Sequence, residues 1–478
     1  MKKNETASLS DGLDQLLTLA DTATPSASCA QRLREHILAM LLCPDKATVT
    51  NLICTAGEQQ HDWSAPYRLY SHGRVDETVL FATARQQLEA QLGPGAALVV
   101  ALDDTLVRKT GTKIDGVGWK RDPLGPPFQT NLVPAQRYLQ FSAAWPLADG
   151  QARLVPIGFF HAPSAGKPPK DASPEQLREH REEQKQLRLN QQALVQMQAL
   201  REQVAADRPI VFNGDGSYTN ETVLKKLPVN TTYIGRIRKD AALHLLPAAR
   251  AATGRPPSYG QEAPTPEQLR QDETIPWQPV EAFAAGQRHC FKIKTLAPVL
   301  WRKSGVERPL RVIVIAPLGY RLRKGAKLLY RQPAYIICTD PDLPIETVLQ
   351  NYLWRWGIEV NFREEKSLLG AGEAQVRTAA SNQHLPATVV AAYALLWIAA
   401  LRSIQNGQQI PLVQPPKWRH PTDAALPSTG ELLRRLRFEL WAHALRPSSF
   451  HHFVTKPSST TKPHKPLASP AGSLFAAA

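Results

Sequence analysis

Cysteine is scarce in this chain. Its 478 residues include five, Cys29, Cys43, Cys54, Cys290 and Cys338, odd in number, widely spaced and without a C-x-x-C pair. That pattern excludes a disulfide framework, lends no support to a structural zinc site and points to a reducing cytosol. Long apolar runs are missing as well. The longest uncharged apolar stretch, Thr388 to Leu401, has 14 residues, short of the roughly 20 that cross a bilayer. It reads as a buried core helix, and no membrane partner is expected. The opening MKKNETASLSDGLDQ turns polar and acidic where a secretory leader needs an apolar run, so secretion is not expected. No internal repeat with a period of about 20 to 50 residues is visible, which disfavours a solenoid or propeller. Acids are in deficit: 42 Asp and Glu against 57 Lys and Arg leave a net charge of +15. Such a balance favours a polyanionic partner, most often nucleic acid, and is silent about fold.

What is present is enough for two or three domains rather than one core. With 43% hydrophobic and 21% charged residues the chain is globular, and 40 prolines against 27 glycines imply many rigid loops. Residues 1–92 read as short helices, with Leu16, Leu17 and Leu19, then Leu33, Ile37, Leu38, Leu41 and Leu42, at helical intervals. Gly93-Pro94-Gly95 punctuates their end. The apolar run Ala96 to Leu102 follows and stops at Asp103-Asp104-Thr105, the pattern of a buried central strand that delivers carboxylates at its C-terminal end. Arg137 to Trp145 and Ala152 to Phe160 read as strands joined at Ala148-Asp149-Gly150, and Pro174 to Ala206 as one long charged helix. Arg208 to Phe212 is a short strand stopping at Asn213-Gly214-Asp215-Gly216. This order is that of an α/β layer architecture with acids at two strand ends. A Pro-rich, strand-like segment then intervenes. Between Lys292 and Arg331 it holds eleven Lys or Arg and one acid, Glu307, a balance of +10 that is two thirds of the net charge. Helical patterns resume at Ile345, and Thr455 to Ala478 is a low-complexity basic tail expected to be disordered.

The most informative segment is Thr347 to Leu369, expected as one helix. At 100° per residue, Tyr352, Arg355, Glu359 and Lys366 share a stripe about 60° wide, with Glu364 and Glu365 on other faces. A carboxylate flanked by these groups can ligate a divalent metal while the cations hold a phosphate. Spacing alone favours an ordinary amphipathic helix with an i,i+4 Arg355–Glu359 pair worth a few tenths of a kcal/mol. The two acidic strand ends shift that balance. Asp103, Asp215 and Glu359 together supply oxygen ligands for two Mg²⁺ ions roughly 3.5–4 Å apart, the arrangement that cleaves phosphodiesters. Gly357 costs about 1 kcal/mol of helix stability, a sign of close approach to a neighbour.

The spacing Tyr352-x2-Arg355-x3-Glu359-x6-Lys366 resembles the Y-R-E-K signature of bacterial insertion-sequence DDE transposases. Leu102-Asp103-Asp104-Thr105 resembles their first-Asp motif and Asn213-Gly214-Asp215-Gly216-Ser217-Tyr218 their second. Asp103 fits the Asp-x-Thr spacing, with Asp104 as a second choice. The resemblance covers about residues 90 to 405. It implies an α/β fold: a ribonuclease H-like catalytic core over 93–235 and 336–405, interrupted by a β-rich basic insertion over 236–335. An N-terminal helical DNA-binding domain over 1–92 and a C-terminal helical region with tail over 406–478 complete the chain. The resemblance further implies that Asp103, Asp215 and Glu359 bind Mg²⁺ or Mn²⁺ and that Tyr352, Arg355 and Lys366 contact phosphates of the transposon end. The activity implied is cut-and-paste transposition: nicking at terminal inverted repeats, often through a hairpin, then strand transfer into target DNA within a homodimeric complex. The location implied is the bacterial cytoplasm, at the nucleoid. The alternative is a DNA-binding protein or nuclease that keeps the scaffold without strand transfer.

Weaker candidates are Arg236, Arg238 and Lys239, which follow the strand-like Thr232-Tyr233-Ile234 and would hold DNA backbone or simply form a solvated basic edge. Arg108 to Lys113 reads as a flexible basic loop of nonspecific phosphate affinity. Trp354 and Trp356 cannot both face the site, and Trp354 is expected in the core. His451 and His452 lack partners at ligand spacing. Leu432, Leu433, Leu436, Leu440 and Trp441 form an apolar helix face that reads as core packing, with a dimer contact as the sharper alternative.

Overall fold

A computed structural model gives the fold and describes residues 8–111, 114–122, 125–126, 128–247, 257–323, 325–412 and 426–445. The expected basic tail, His451 and His452, Thr112, Lys113 and Lys324 lie outside them.

The chain opens with helices α1 (Leu9–Leu19), α2 (Ala27–Leu42), α3 (Val49–Ala56), α4 (Ser64–Ser71) and α5 (Glu77–Glu89). Side chains of Ser8, Ser26, Thr48 and Asp76 accept from the exposed amides of four of these N-termini. After the Gly93-Pro94-Gly95 turn come β1 (Leu98–Arg108), β2 (Gly118–Arg121), β3 (Leu132–Pro146) and β4 (Ala152–His161). Next are α6 (Pro174–Gln186), α7 (Leu189–Gln203), β5 (Ile210–Gly214), α8 (Glu221–Leu224) and β6 (Thr231–Arg236). The expected single helix over Pro174–Ala206 is therefore two, and α6 buries none of its residues.

The following segment contains β7 (Leu243–His244), β8 (Glu262–Ala263), α9 (Pro266–Gln271), β9 (Gln278–Ala284), β10 (Gln287–Trp301) and β11 (Leu310–Ile315). It ends with β12 (Gly319–Tyr320), β13 (Leu329–Tyr330) and β14 (Ala334–Cys338). Helices α10 (Ile345–Trp354), α11 (Gly357–Ser367), α12 (Ala379–Gln405) and α13 (Thr429–Leu445) close the described chain.

One mixed sheet organises these elements. Strands β4, β3 and β1 are antiparallel neighbours, and β1, β5 and β6 are parallel. This arrangement is consistent with a ribonuclease H-like core. The sheet does not stop at β6: β14 pairs antiparallel with it, and β11 and β10 continue outward. The β-rich segment thus extends the core sheet through backbone hydrogen bonds.

The sheet has two differently clothed faces. On one, Leu98, Val100, Leu102 and Phe141 join a large core with residues of α1, α2, α5, α7, α12 and α13. The N-terminal helices therefore share their core with the sheet and α12. On the other face, Val99, Ala101, Val211, Ile313 and Ile336 pack under Val348 and Leu349 of α10 and Ile358 of α11. Each fully buried Leu, Ile or Val here contributes about 1.5–3 kcal/mol of transfer free energy.

The expected core helix at Thr388–Leu401 is part of α12, which runs longer and carries Pro386 inside it. Proline has no N–H, so the Asn382 carbonyl one turn back loses its helical donor. The buried Tyr138 hydroxyl donates to that carbonyl at 2.6 Å and ties α12 to β3. Leu432, Leu433 and Leu436 of α13 are buried in the same core, so the apolar face of that helix is used in packing.

Candidate active site

Parallel pairing of β1 with β5 runs from Leu98 opposite Ile210 to Ala101 opposite Asn213. Two residues further along each chain, that register sets Asp103 level with Asp215. Side chains alternate along a strand, so Val99, Ala101 and Asp103 share a face with Val211, Asn213 and Asp215. The first of these carboxylates was expected at the end of its strand, but β1 continues to Arg108. What ends is β5, at Gly214, while β3 still pairs with β1 as far as Arg108. The acids thus lie where β1 loses its parallel neighbour and the sheet opens.

Burial, and then the Asp215 charge, push the Asp103 carboxyl up to about 7, and the Arg355 guanidinium pulls the other way. Asp215 accepts the Ser217 amide at 2.8 Å. Asp104 has different partners. Its Oδ1 accepts the Tyr218 hydroxyl at 3.0 Å and its Oδ2 lies 3.3 Å from Arg137 Nε. Burial raises its pKa, and Arg137 and Tyr218 oppose the rise.

The helix expected over Thr347–Leu369 is broken into α10 and α11. Around the break Arg355, Trp356, Ile358 and Glu359 donate to carbonyls three residues back, at 3.1–3.2 Å. This tighter winding turns more per residue than an α-helix, so the uniform stripe expected from the spacing does not hold across it. Gly357 sits at the break because α11 approaches β4 closely: a Cβ there would lie 2.9 Å from Leu154 Cγ.

The break sends the four signature side chains to different places. Arg355 is buried, with Nη1 3.3 Å from Asp103 Oδ2. Its guanidinium carbon is 5.7 Å from the centre of the Tyr352 ring. Tyr352 is half-buried, and burial pushes its pKa up, opposed by Arg355 and Arg236. Lys366 donates to Thr105 Oγ1 at 2.6 Å and to the Leu106 carbonyl at 3.0 Å. Burial depresses its pKa. Glu359 is exposed, and its carboxylate has no hydrogen bond or ion pair among the described residues.

Beyond the helix, Arg236 ends β6 exposed but close enough to Tyr352 to act on its hydroxyl. Arg238 is exposed and spent on Asp240 at 2.8 Å, and Lys239 is exposed. Trp354 is half-buried, its Nε1 donating to the Gly150 carbonyl at 3.0 Å, whereas Trp356 is 58% exposed. Sequence reasoning passed over Arg137 and the role of Tyr218, the partners of Asp104. It also missed Glu365, which is buried against the Gln140 amide at 2.9 Å. Gln140 is the cross-strand partner of Asp103, a fact that only the β1–β3 register reveals.

Several buried polar atoms around the acids lack a hydrogen-bond partner among the described residues: Asn213 Oδ1, Gln140 Oε1 and Arg355 Nε. Such orphans are rare unless a ligand or water completes them. No trio of His, Cys, Asp and Glu among the described residues encloses an ion by itself. Magnesium does not require one, because it commonly binds one or two carboxylates and fills its shell with water and substrate phosphate oxygens. Asp103 and Asp215 fit that mode.

No curated protein matches the chain. A model of the DDE superfamily endonuclease family matches residues 25–303, more than half of the chain, from α2 through the acids to the end of β10. The match stops before α10, leaving the Tyr352 to Lys366 signature outside it. An acid on β1 and another just past the end of its parallel neighbour β5 in a mixed α/β sheet, within a family match of this extent, lead to one conclusion: the chain belongs to the DDE superfamily endonucleases.

Proposed function

We propose that the protein is a transposase that cuts DNA at the ends of a mobile element and joins the freed 3′-hydroxyl to target DNA. The observation that carries this reading is the side-by-side placement of Asp103 and Asp215 where β1 outruns β5. In this reading the two carboxylates, with Glu359 swung in from its exposed position, hold Mg²⁺ or Mn²⁺. When bound, the ions activate an attacking oxygen and neutralise charge on the leaving one.

The chain's own residues do the rest. Arg355, released from Asp103, and Tyr352 hold a phosphate of the element's end beside the acids. Arg236, exposed and close to Tyr352, extends the contact. Lys366 grips Thr105 and Leu106 and so fixes α11 against β1, which makes it a positioning group for the strand carrying Asp103. The DNA partners are the terminal inverted repeats and the target duplex, engaged by a homodimer in the bacterial cytoplasm, and the N-terminal helices contribute to reading the repeats.

The test is metal-dependent nicking of a duplex, followed by strand transfer from a precut end. Wild type is expected to nick with Mg²⁺ or Mn²⁺ and to yield joined product. Asp103→Asn and Asp215→Asn are each expected to reduce nicking by at least about 10³-fold, a loss of roughly 4 kcal/mol in transition-state stabilisation. Nicking by either variant at the wild-type rate removes the assignment.

The exposure of Glu359 favours a second reading, a scaffold that binds DNA and does not cut it. Duplex binding without nicking in either metal selects it. Nicking without joining selects a nuclease.

A further inference from the structure

A second polar cluster lies across β3 from the acids. The stretch after Asp103, expected as a flexible basic loop, starts differently: the Lys109 amide still pairs with the Pro134 carbonyl at 2.9 Å, and its side chain is 8% exposed. Lys109 Nζ is buried without a hydrogen-bond partner among the described residues. An ammonium desolvated in this way is costly unless something anionic meets it, and burial depresses its pKa.

Its neighbours are mostly basic, with one exposed acid, Asp115, at the edge. His161, at the end of β4, stands opposite Tyr138 in the sheet, with ring centres 5.3 Å apart. Its Nε2 is also buried without a hydrogen-bond partner among the described residues. After burial, the exposed Asp115 is the strongest charge acting on it and favours protonation, while Lys120 and then Lys109 disfavour it. Lys120, on β2, reaches the Ser164 hydroxyl at 2.5 Å and feels the charges of Arg137 and Asp104. Arg137, whose carbonyl accepts the Ala162 amide at 2.8 Å, joins the cluster to the acid pair through Asp104. A run of cations therefore leads from Asp104 to a buried, unpaired ammonium.

We propose that Lys109, Lys120, Arg137 and His161 form a second anion site, which seats a backbone phosphate of the DNA strand running past Asp103 and Asp215. The assignment rests on the DNA-cutting reading only for the identity of the strand. Three cations and an imidazole, two of them with buried nitrogens that lack a partner among the described residues, suit a phosphodiester, whose two free oxygens accept from several donors at once. Seated there, a phosphate fixes the register of the strand relative to the acids, and Lys109 is a positioning residue rather than a catalytic one.

The test is the salt dependence of binding by the full-length protein to a duplex oligonucleotide, in Ca²⁺ so that cutting does not intervene. Lys109→Met is expected to lower the slope of log K against log salt by about one unit, equivalent to one phosphate. Lys120→Ala, on the more exposed side, is expected to lower it by a similar amount. The thermal midpoint separates damage to the fold from weaker phosphate binding. Removing an unpaired buried charge is expected to leave the Lys109→Met midpoint unchanged or higher, and inorganic phosphate is expected to raise the midpoint of wild type but not of that variant.

An unchanged slope in Lys109→Met overturns the proposal, whether or not its midpoint falls, because the ammonium then serves the fold alone. Protection by inorganic phosphate without a slope change also overturns it, as an adventitious ion only. If wild type binds duplex and never nicks it, the transposase reading fails while a slope change still establishes the phosphate seat.

Discussion

The guanidinium of Arg355 lies 3.3 Å from Asp103 Oδ2, on the carboxylate proposed to hold the metal. In the absence of DNA this cation offsets the repulsion between Asp103 and Asp215. A divalent ion and Arg355 therefore compete for one carboxylate, and a substrate phosphate gives the displaced guanidinium somewhere to go.

Replacing Arg355 with Gln should move metal binding and cleavage in opposite directions. Without its counter-charge the acid pair attracts a divalent ion more strongly, so saturating Mn²⁺ at pH 8 should raise the thermal midpoint of Arg355→Gln more than that of wild type. Nicking should fall at least about tenfold, because a charged hydrogen bond to phosphate worth roughly 1.5–3 kcal/mol is gone. Equal midpoint shifts in the two proteins would remove the competition, and an unchanged nicking rate would remove the phosphate-holding role.

Gly357 tests whether the helix break is needed where it falls. Alanine is worth about 1 kcal/mol more than glycine in a helix, so propensity alone predicts a more stable Gly357→Ala protein. Its Cβ would meet Leu154 Cγ at 2.9 Å, and Leu154 is buried. Overpacking of this kind costs about 1–3 kcal/mol. The expected result by urea denaturation is a net loss of stability, together with reduced nicking because Arg355 is two residues away. Adding Leu154→Ala should make the glycine replacement stabilising or neutral. If Gly357→Ala alone is as stable as wild type, the close approach does not constrain the break.

The acids were legible in the sequence because each ends an apolar run, and runs of that kind form central strands. Leu310 to Ile315 was legible for the same reason and is β11 with those bounds. What was not legible is set by pairing. Asp103 and Asp104 are adjacent in sequence, yet strand alternation sends one to Arg355 and the other to Arg137 and Tyr218. Arg137 reaches Asp104 only through the β1–β3 register. The helical wheel failed at Arg355 and Trp356 because it assumes one pitch, and the turn tightens there where α11 comes against Leu154 of β4. Lys366 illustrates the same limit: its spacing is that of a phosphate contact, whereas its ammonium is tied to Thr105 and Leu106.

Glu365 gives a pH dependence of defined sign. Burial pushes its carboxyl up to about 8 from an ordinary 4.5, and the Gln140 hydrogen bond and the Lys366 charge oppose the rise. Between those values the folded chain keeps a proton that the unfolded chain has released. Its contribution to stability is therefore complete below about pH 4.5 and is lost as pH rises through about 8. Glu365→Gln removes the titration and keeps a partner for Gln140. The slope of unfolding free energy against pH between 5 and 8 should be less negative in this variant than in wild type, by at most about 1.4 kcal/mol per pH unit. Identical slopes would show that Glu365 is charged in the folded protein.

The basic segment between Lys292 and Arg331 is less uniform than its charge count implied, and the structure divides it. Lys294 is buried, donating to the Arg270 and Asp272 carbonyls and lying 4.7 Å from the Trp277 ring centre, and Arg311 holds the Pro341 carbonyl. Arg321, Arg323, Lys327 and Arg331 are exposed on and beside the β12–β13 hairpin, next to the exposed Leu322 and Tyr330. If this hairpin lies along DNA, neutralising a hairpin cation should lower the slope of log K against log salt by about 0.9 for each phosphate left unneutralised. Arg321→Gln with Arg323→Gln should therefore flatten the slope by up to about two units and leave the thermal midpoint in place. Lys294→Met should do the reverse, lowering the midpoint with the slope intact, since its donors serve carbonyls inside the fold. A double hairpin variant with an unchanged slope would move DNA off this surface and leave the duplex to the cations beside the acids.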